Sequence, residues 1–173
     1  RRRRKYSQER VVQMIKLTRI DHRLLHGQVA FSWTKFLESD CILIACDSLM
    51  KDELKMNVIR LAKPTGIKLV MKSVEDSIKA LNSGVTDKYK LFIIVESVKD
   101  AYRLANACPQ IKSINVGGMK ATDARKQIAK AVFIDDEDAR MFKELHEKGI
   151  EIEARLVPNE EKQDVIKLIE KEM

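Results

Sequence analysis

Residues 15–38 read IKLTRIDHRLLHGQVAFSWTKFLE, and this stretch decides the fold and the place of the candidate site. Its apolar beginning predicts a β-strand over residues 15–20, and its later spacing predicts a helix over residues 28–38. Where a strand turns and leads into a helix, the free N–H groups of the first helical turn point outward. Together with the positive end of the helix dipole they form a site for an anion. His26 and Gly27 lie at that point.

The residues around His26 are of the types that a phosphate-carrying histidine needs. Neutral imidazole is a nitrogen nucleophile near neutral pH, provided that one ring nitrogen is free and a partner holds the other as N–H. The arriving phosphoryl group also needs positive charge. Asp21 is the candidate partner of the ring, Arg23 and Arg19 are the candidate countercharges, and Gly27 lets the backbone approach closely. From residue types alone, a turn or packing histidine is the commoner case.

Apolar runs alternate with amphipathic runs along the rest of the chain. Strands are predicted over residues 15–20, 41–46, 67–71, 91–95, 111–116, 127–134 and 150–156. Helices are predicted over residues 28–38, 49–62, 74–81, 98–107, 135–148 and 160–172, the last of them capped by Asn159. This order predicts a single α/β domain with an open, mostly parallel sheet, helices on both faces and an antiparallel edge.

Two of these helices carry apolar residues that predict which side faces the sheet. In the helix over residues 28–38, Trp33 and Phe36 are expected to pack against the sheet. In the helix over residues 49–62, the spacing of Leu49, Met50, Leu54, Val58 and Leu61 suits one helix face.

Ligands of open α/β sheets bind beyond the carboxyl ends of the strands, so the loops at that edge are the places to look for chemistry. The first is the loop from Asp21 to Gly27, and the second begins at Asp47, which we expect to cap a helix. The third is Gly117-Gly118-Met119-Lys120. Gly117 and Gly118 are candidates for a backbone N–H cradle that binds phosphate, with a tight turn as the alternative.

The basic charge of the chain is concentrated at its beginning. Residues 1–13, RRRRKYSQERVVQ, hold six cationic residues and one glutamate, a net charge of +5 out of +7, which leaves +2 for residues 14–173. We interpret residues 1–13 as a basic tail outside the fold, either non-native or disordered. A basic arm that contacts nucleic acid or an anionic surface is the alternative. Since the remainder is nearly balanced, no nucleic-acid partner is expected.

Composition places the chain among single-domain soluble proteins. With 173 residues and 45% hydrophobic residues it can bury one core. The longest stretch without a charged residue, residues 24–34, is far shorter than the roughly 18 apolar residues of a membrane span. The three cysteines form no C-x-x-C pair, which favours reduced thiols and a cytoplasmic location. His22 and His26 have the spacing of a metal pair but no obvious third ligand, so no metal and no cofactor are expected.

Three motifs resemble one known family. RIDHRLLHGQV at residues 19–29 is similar to the active-site segment of enzyme IIB of the mannose/sorbose class of the sugar phosphotransferase system. The usual pattern of that segment is R-[IV]-D-[DE]-R-[LFI]-[IL]-H-G-Q. INVGGMK at residues 114–120 resembles the second signature of the family, and GIEIEAR at residues 149–155 resembles its closing strand. The likeness covers residues 14–173.

The resemblance implies a function for the candidate site. His26 matches the phosphorylated residue of the family, which accepts phosphate from a phosphohistidine on enzyme IIA. It passes the phosphate to a sugar held by the membrane components IIC and IID, beside which the protein would work in the cytoplasm.

The resemblance also implies residue roles. Arg23 matches the family arginine near the phosphate, and Asp21 matches the first acidic residue. Gly27 and Gln28 of the same motif are expected to help bind the phosphate. The chain departs from the pattern at His22, where an acidic residue is commoner. A non-catalytic anion-binding or regulatory module of the same fold is the alternative function.

Overall fold

Continuous apolar runs in the middle of the chain become parallel strands that are buried on both faces. A computed structural model describes residues 15–173, except for the side chains of Gln28 and Val29. The predicted basic tail and the predicted role of the Gln28 side chain lie outside this described part.

The described strands and helices alternate as the sequence predicts. The strands are β1 Ile15–Asp21, β2 Cys41–Ala45, β3 Lys68–Lys72, β4 Leu91–Val95, β5 Ser113–Gly118, β6 Lys126–Ala129, β7 Val132–Ile134, β8 Glu151–Ala154 and β9 Gln163–Asp164. The helices are α1 Gly27–Leu37, α2 Glu53–Ala62, α3 Val74–Ser83, α4 Val98–Ala107, α5 Asp136–Glu147 and α6 Val165–Glu172. A short 3-10 helix, Ser48–Lys51, precedes α2.

Seven of these strands form one sheet in the order β3-β2-β4-β1-β5-β8-β9. All neighbouring strands are parallel except for β9, which pairs antiparallel with β8 at the edge. Strands β6 and β7 form a separate antiparallel hairpin. The predicted fold class, a mostly parallel α/β sheet with an antiparallel edge, is confirmed.

Helices cover both faces of the sheet, each over its own hydrophobic cluster. On one face α1 and α2 pack over Ile42, Ile44 and Phe92, whereas α3, α4, α5 and α6 pack over alternate strand residues such as Leu43 and Ile93. Side chains alternate between the faces of a strand, so a strand such as β2 contributes to both clusters and is buried throughout. The sheet is thereby fixed between two helical layers, and its carboxyl edge is left for the loops.

The predicted helix over residues 49–62 is wrong in two respects. Asp52 interrupts it and caps α2 by accepting a hydrogen bond from the backbone N–H of Lys55 at 3.0 Å. The side of α2 that faces the sheet carries Ile59, with Met56 and Ala62 partly buried, whereas of the predicted set only Leu49 and Met50, in the preceding 3-10 helix, pack against the core. Leu54, Val58 and Leu61 are exposed, as is Phe36 on α1, while Trp33 is buried as predicted. The α2 segment contains two apolar sets at helical spacing. The sheet buries the set of Met56, Ile59 and Ala62, and the set of Leu54, Val58 and Leu61 remains exposed.

Three further boundaries differ from the predictions. The fifth strand begins and ends two residues later than predicted, so that Gly117 and Gly118 belong to β5 and not to a loop. Residues 127–134 are not one strand, since they lie within the hairpin of β6 and β7. The last helix begins at Val165, because residues 163–164 pair with β8 and Asp164 caps α6 by accepting from the N–H groups of Ile166 and Lys167. Asn159 is therefore not its cap.

Two substitutions in α2 test which of its sides supports the fold. Ile59→Ala should lower the free energy of unfolding by about 2–5 kcal/mol, because Ile59 is 2% exposed and its loss leaves a cavity. Leu61→Ala, two residues away and 88% exposed, should change it by less than about 0.5 kcal/mol. Urea unfolding measures both values. Equal effects of the two substitutions would contradict the orientation of α2.

Candidate functional site

The candidate site lies in a crevice at the carboxyl edge of the sheet. From β1 the chain passes through α1 to β2, on one side of β1, whereas from β5 it continues to β8 on the other side. Neighbouring strands whose connections leave in opposite directions open a crevice between their carboxyl ends, and such crevices bind ligands in α/β proteins. The loop that carries His26 follows β1 and therefore lies at this crevice.

The His26 loop is held by its backbone and by two leucines. The N–H of His22 donates to the carbonyl of Gly118 at 3.0 Å, and the N–H of Leu24 donates to the carbonyl of Asp21 at 2.9 Å. Leu24 adopts a positive φ of 59°, which is unfavourable for a leucine, but its buried side chain and that of Leu25 anchor the turn in the core beneath α1. These hydrogen bonds and buried leucines hold the loop against the core.

His26 occupies the N-cap position of α1 without using its side chain as a cap. Its φ of −149° and ψ of 140° are extended, and its carbonyl accepts the first helical hydrogen bond from Ala30 at 3.2 Å. Gly27 follows with a positive φ of 37°, a conformation that side chains disfavour. The imidazole is 23% exposed, so it reaches solvent at the start of the helix.

Asp21 fixes the orientation of the imidazole. Its Oδ2 lies 3.0 Å from Nε2 of His26, and its Oδ1 accepts from the backbone N–H of Arg23 at 3.0 Å. Because an ionised carboxylate only accepts hydrogen bonds, the ring nitrogen facing it must carry the proton. Nε2 of His26 is therefore N–H, and the lone pair of Nδ1 remains available for reaction.

The surroundings of Asp21 keep it ionised. Burial by itself would raise the pKa of this carboxyl, but the hydrogen bond from His26, the charge of Arg19 and the N–H of Arg23 together hold the pKa below its ordinary value. Asp21 is consequently an anion at neutral pH, as the N–H assignment of Nε2 requires.

Of the two predicted countercharges, only Arg23 is accessible. Its guanidinium is 52% exposed and its Nε lies 3.9 Å from Oδ1 of Asp21, a distance too long for a hydrogen bond. Arg19 is 2% exposed and lies behind Asp21, where its Nη2 donates to Oδ2 of Asp21 at 3.3 Å. The donors of Arg19 are turned into the protein, so it does not reach a ligand directly, and its predicted role as a countercharge stays a prediction.

Gly117 and Gly118 are glycines because other side chains pass against them. A Cβ on Gly117 would lie 1.9 Å from Cζ of Arg19, and a Cβ on Gly118 would lie 3.3 Å from Oδ1 of Asp21 and 3.6 Å from Nδ1 of His22. Both residues lie buried in β5, beside β1. Their predicted part in binding phosphate stays a prediction, and the close approach of Arg19 and Asp21 accounts for their lack of side chains.

The second candidate loop has a structural function. Asp47 accepts from the backbone N–H of Val74, the first residue of α3, at 2.9 Å and from Arg103 at 3.1 Å. It therefore supports the start of α3, whose N-cap is Ser73, and its side chain does not cap the 3-10 helix that follows it in sequence. Cys46 is buried, and burial raises the pKa of its thiol, as expected of a core residue.

No metal cluster or membrane-spanning helix is found in the described part of the chain. Within residues 15–173 no three His, Cys, Asp or Glu side chains come together as metal ligands. None of the helices described there is long and apolar enough to cross a membrane.

A set of buried polar residues beside the site was not foreseen. Asn115 on β5 and Glu153 on β8 are buried, and strand register places Asn115 beside both Arg19 and Glu153. Asn115 interrupts the apolar run of β5, which is a signal in the sequence, whereas Glu153 follows the alternation of β8, EIEA, and gives none. Only the pairing of the strands shows that Asn115 lies between Arg19 and Glu153.

Comparison with known proteins shows the family to which the fold belongs. The family model described as the sorbose subfamily IIB component of the phosphotransferase system matches residues 15–173. The fructose-specific EIIB component of Bacillus subtilis is 32% identical over 155 residues, which cover 90% of this chain and 95% of the relative. The mannose-specific EIIAB component of Escherichia coli is 32% identical over 91% of this chain, which spans 49% of that longer protein.

The solved structures include a close match in fold. The IIB domain of the sorbose permease of Klebsiella pneumoniae superimposes with a TM-score of 0.88 at 29% identity, over 92% of this chain and 98% of that domain. The family model spans the whole described fold, including the loop that carries His26. The chain therefore belongs to the sorbose subfamily of phosphotransferase-system IIB components, a class that acts in sugar phosphotransfer.

Proposed function

We propose that this protein carries a phosphoryl group on Nδ1 of His26. It accepts the group from a phosphohistidine of enzyme IIA and delivers it to a sugar held by the membrane components IIC and IID. The observation that supports this most directly is the 3.0 Å contact between Asp21 and Nε2, which leaves Nδ1 as the nucleophile. Membership of the IIB family supports the reaction class.

The chemistry follows from the protonation state of the ring. The Nδ1 lone pair attacks phosphorus as the P–N bond to the donor imidazole breaks, with the loose in-line transition state of phosphoryl transfer. The His26 ring becomes cationic in this step, because Nε2 keeps its proton. The Asp21 anion stabilises that charge. In the second step a sugar hydroxyl oxygen attacks phosphorus, the Nδ1–P bond breaks, the hydroxyl proton passes to solvent or to a base of the membrane components, and His26 returns to its neutral form.

Two features of the loop meet the negative charge of the phosphoryl group. The N-terminus of α1 begins at Gly27, directly after His26, so its free N–H groups and dipole favour an anion there. The exposed guanidinium of Arg23 is the mobile countercharge, since its long contact to Asp21 does not hold it in place. We assign Gly27, Arg23 and the backbone at Gln28 to phosphate binding on these grounds.

The partners follow from the family and from one relative. The Escherichia coli relative is an EIIAB component, with the A and B components in one protein, which supports transfer from a IIA component to this chain. A carrier that receives phosphate from IIA and gives it to a sugar in membrane components works in the cytoplasm beside them.

Replacement of the histidine tests the carrier role. His26→Ala should abolish the uptake of labelled phosphate from phosphoenolpyruvate in the presence of the general phosphotransferase proteins and IIA. His146→Ala, which changes an exposed histidine at the end of α5, is the matched control and should retain full labelling. The label on the wild-type protein should be acid-labile and base-stable, as expected of phosphohistidine.

The same assay separates the alternatives. Labelling that survives in His26→Ala but disappears in His22→Ala would transfer the role to His22. Absence of any label with competent partners would favour a non-catalytic anion-binding or regulatory module.

Asp21→Asn tests whether the carboxylate of Asp21 makes Nδ1 of His26 the nucleophile. The variant removes the anion that holds Nε2 as N–H, and we expect the rate of transfer from IIA to His26 to fall by roughly 10²- to 10⁴-fold. Asp47→Asn changes a carboxylate that accepts from the first N–H group of α3 and should leave the rate unchanged. Rapid-quench measurement of phosphoprotein formation gives both rates, and an unaltered rate in Asp21→Asn would contradict the mechanism.

The pH dependence of stability checks that Asp21→Asn acts through the ionised carboxylate. The pKa of Asp21 in the folded protein lies below its ordinary value of 3.8, so the anion stabilises the fold at neutral pH. This stabilisation is lost as the pH falls through the folded-state pKa. The difference in unfolding free energy between wild type and Asp21→Asn should therefore shrink below about pH 4.

A further inference from the structure

Four buried side chains form a continuous row that ends at His26. Glu153 accepts from Nδ2 of Asn115 at 3.2 Å, and Oδ1 of Asn115 accepts from Nη1 of Arg19 at 2.7 Å. Nη2 of Arg19 donates to Asp21 at 3.3 Å, and the same carboxylate oxygen accepts from Nε2 of His26 at 3.0 Å. We call Glu153, Asn115, Arg19 and Asp21 the polar row. It crosses three neighbouring strands, β8, β5 and β1.

Asn115 can have only one orientation in this row. Its oxygen faces a guanidinium, which only donates, and its amide NH2 faces the carboxylate of Glu153, which only accepts. A flipped amide would turn donor against donor and acceptor against acceptor. Glu153 is itself held by Arg155, whose Nε lies 3.1 Å from Oε2 and whose Nη2 lies 3.0 Å from Oε1. The orientation of Asn115 is therefore set from β8.

Arg19 is fixed in turn. Besides Asn115 and Asp21, it donates to the carbonyls of Arg155 at 3.0 Å and Leu156 at 3.1 Å. Its Cζ lies 5.2 Å from the ring centroid of Trp33, whose indole N–H also donates to the carbonyl of Leu156. With these partners the guanidinium has one position, and its Nη2 points at Asp21.

Burial of the charged groups of the polar row costs free energy, and the fold by itself does not require these groups. Burial lowers the pKa of the Arg19 guanidinium, and the charges of Asp21 and Glu153 oppose that effect. Buried ion pairs can often be replaced by apolar side chains without loss of stability. What apolar residues cannot supply is a carboxylate held in one orientation against an imidazole, and the row ends in that contact.

We infer that Asn115 and Glu153 are positioning residues for phosphoryl transfer, which through Arg19 hold Asp21 against Nε2 of His26 and so keep Nδ1 the reactive nitrogen. The inference rests on the proposed carrier function of His26. Neither residue touches the phosphoryl group. When the row is broken, Oδ2 of Asp21 loses its bond to Arg19, the carboxylate is free to turn, and both tautomers of His26 become populated.

The isomer of phosphohistidine reports on this positioning. Wild-type protein should carry phosphate on Nδ1, and Asn115→Leu and Glu153→Leu should each raise the Nε2-phosphorylated fraction several-fold, measured by phosphorus NMR. The transfer rate should fall about 10- to 100-fold, by analogy with the range found when the hydrogen-bond partners of metal-binding histidines are removed. Glu153→Gln keeps an acceptor oxygen for Asn115 and should restore most of the Nδ1 isomer.

Two controls separate positioning from general damage. Thr18→Val changes a buried residue of β1 that lies next to Arg19 in sequence and outside the row, so it should leave the isomer ratio and the rate unchanged. The double variant Asn115→Leu/Glu153→Leu should be no worse than Asn115→Leu, because the two residues act in series. Additive effects of the two substitutions would overturn the inference.

Heteronuclear NMR of the imidazole nitrogens of unphosphorylated protein gives a second reading. Asn115→Leu should shift His26 from the Nε2–H tautomer to a mixture, and Asn115→Ser, a smaller change, serves if the leucine variant does not fold. An unchanged tautomer together with an unchanged isomer ratio and rate would overturn the inference and leave the carrier function intact. A wild-type protein that takes no phosphate would instead defeat the proposed function, whatever the tautomer shows.

Discussion

A guanidinium that is 2% exposed must find an acceptor for each N–H group that it turns inward, and Arg19 finds its acceptors on three separate parts of the fold. It bonds Asp21 on its own strand, Asn115 on β5, and the carbonyls of Arg155 and Leu156 after β8. Gly117 has no side chain because that guanidinium occupies the space. The orientation of His26 thus depends on the packing of three strands.

The loop itself combines a rigid base with an open surface. Leu24 and Leu25 are buried beneath α1 and Asp21 is buried behind the ring, so the turn cannot move far. His26 and Arg23 reach solvent from this base. A histidine that must meet a donor and then an acceptor gains from this arrangement, since it is accessible from outside but fixed in protonation and direction from within.

The sequence predicted those parts of the molecule that depend on local pattern. The strand–turn–helix around His26 and the buried strands β2 and β4 follow from apolar runs and their breaks. The assignment of His26 itself came from the resemblance to the family, because residue types alone do not distinguish a carrier from a packing histidine. Asp21 as the partner of the ring was predicted from chemistry, and the structure places it in contact.

What sequence reasoning missed depends on contacts between distant segments. In α2 two apolar sets compete, and only packing on the sheet selects Ile59 over Leu54, Val58 and Leu61. The start of α6 depends on the pairing of residues 163–164 with β8, which displaces the cap from Asn159 to Asp164.

The same limit applies to the site. Arg19 was expected near a ligand, but its guanidinium is buried behind Asp21. The hydrogen bond between Asn115 and Glu153 depends on strand register, which no local pattern encodes.

The charges around the polar row have a further consequence. Glu153 and Asp21 are matched by Arg155 and Arg19, so the buried set is neutral as a whole before any phosphate arrives. If His26 carries a phosphoryl group as proposed, the countercharge available to it is the exposed Arg23 and the start of α1, since the two buried arginines are already paired. A phosphorylated state built in this way would draw little stabilisation from the interior of the protein, which suits a group that must be passed on.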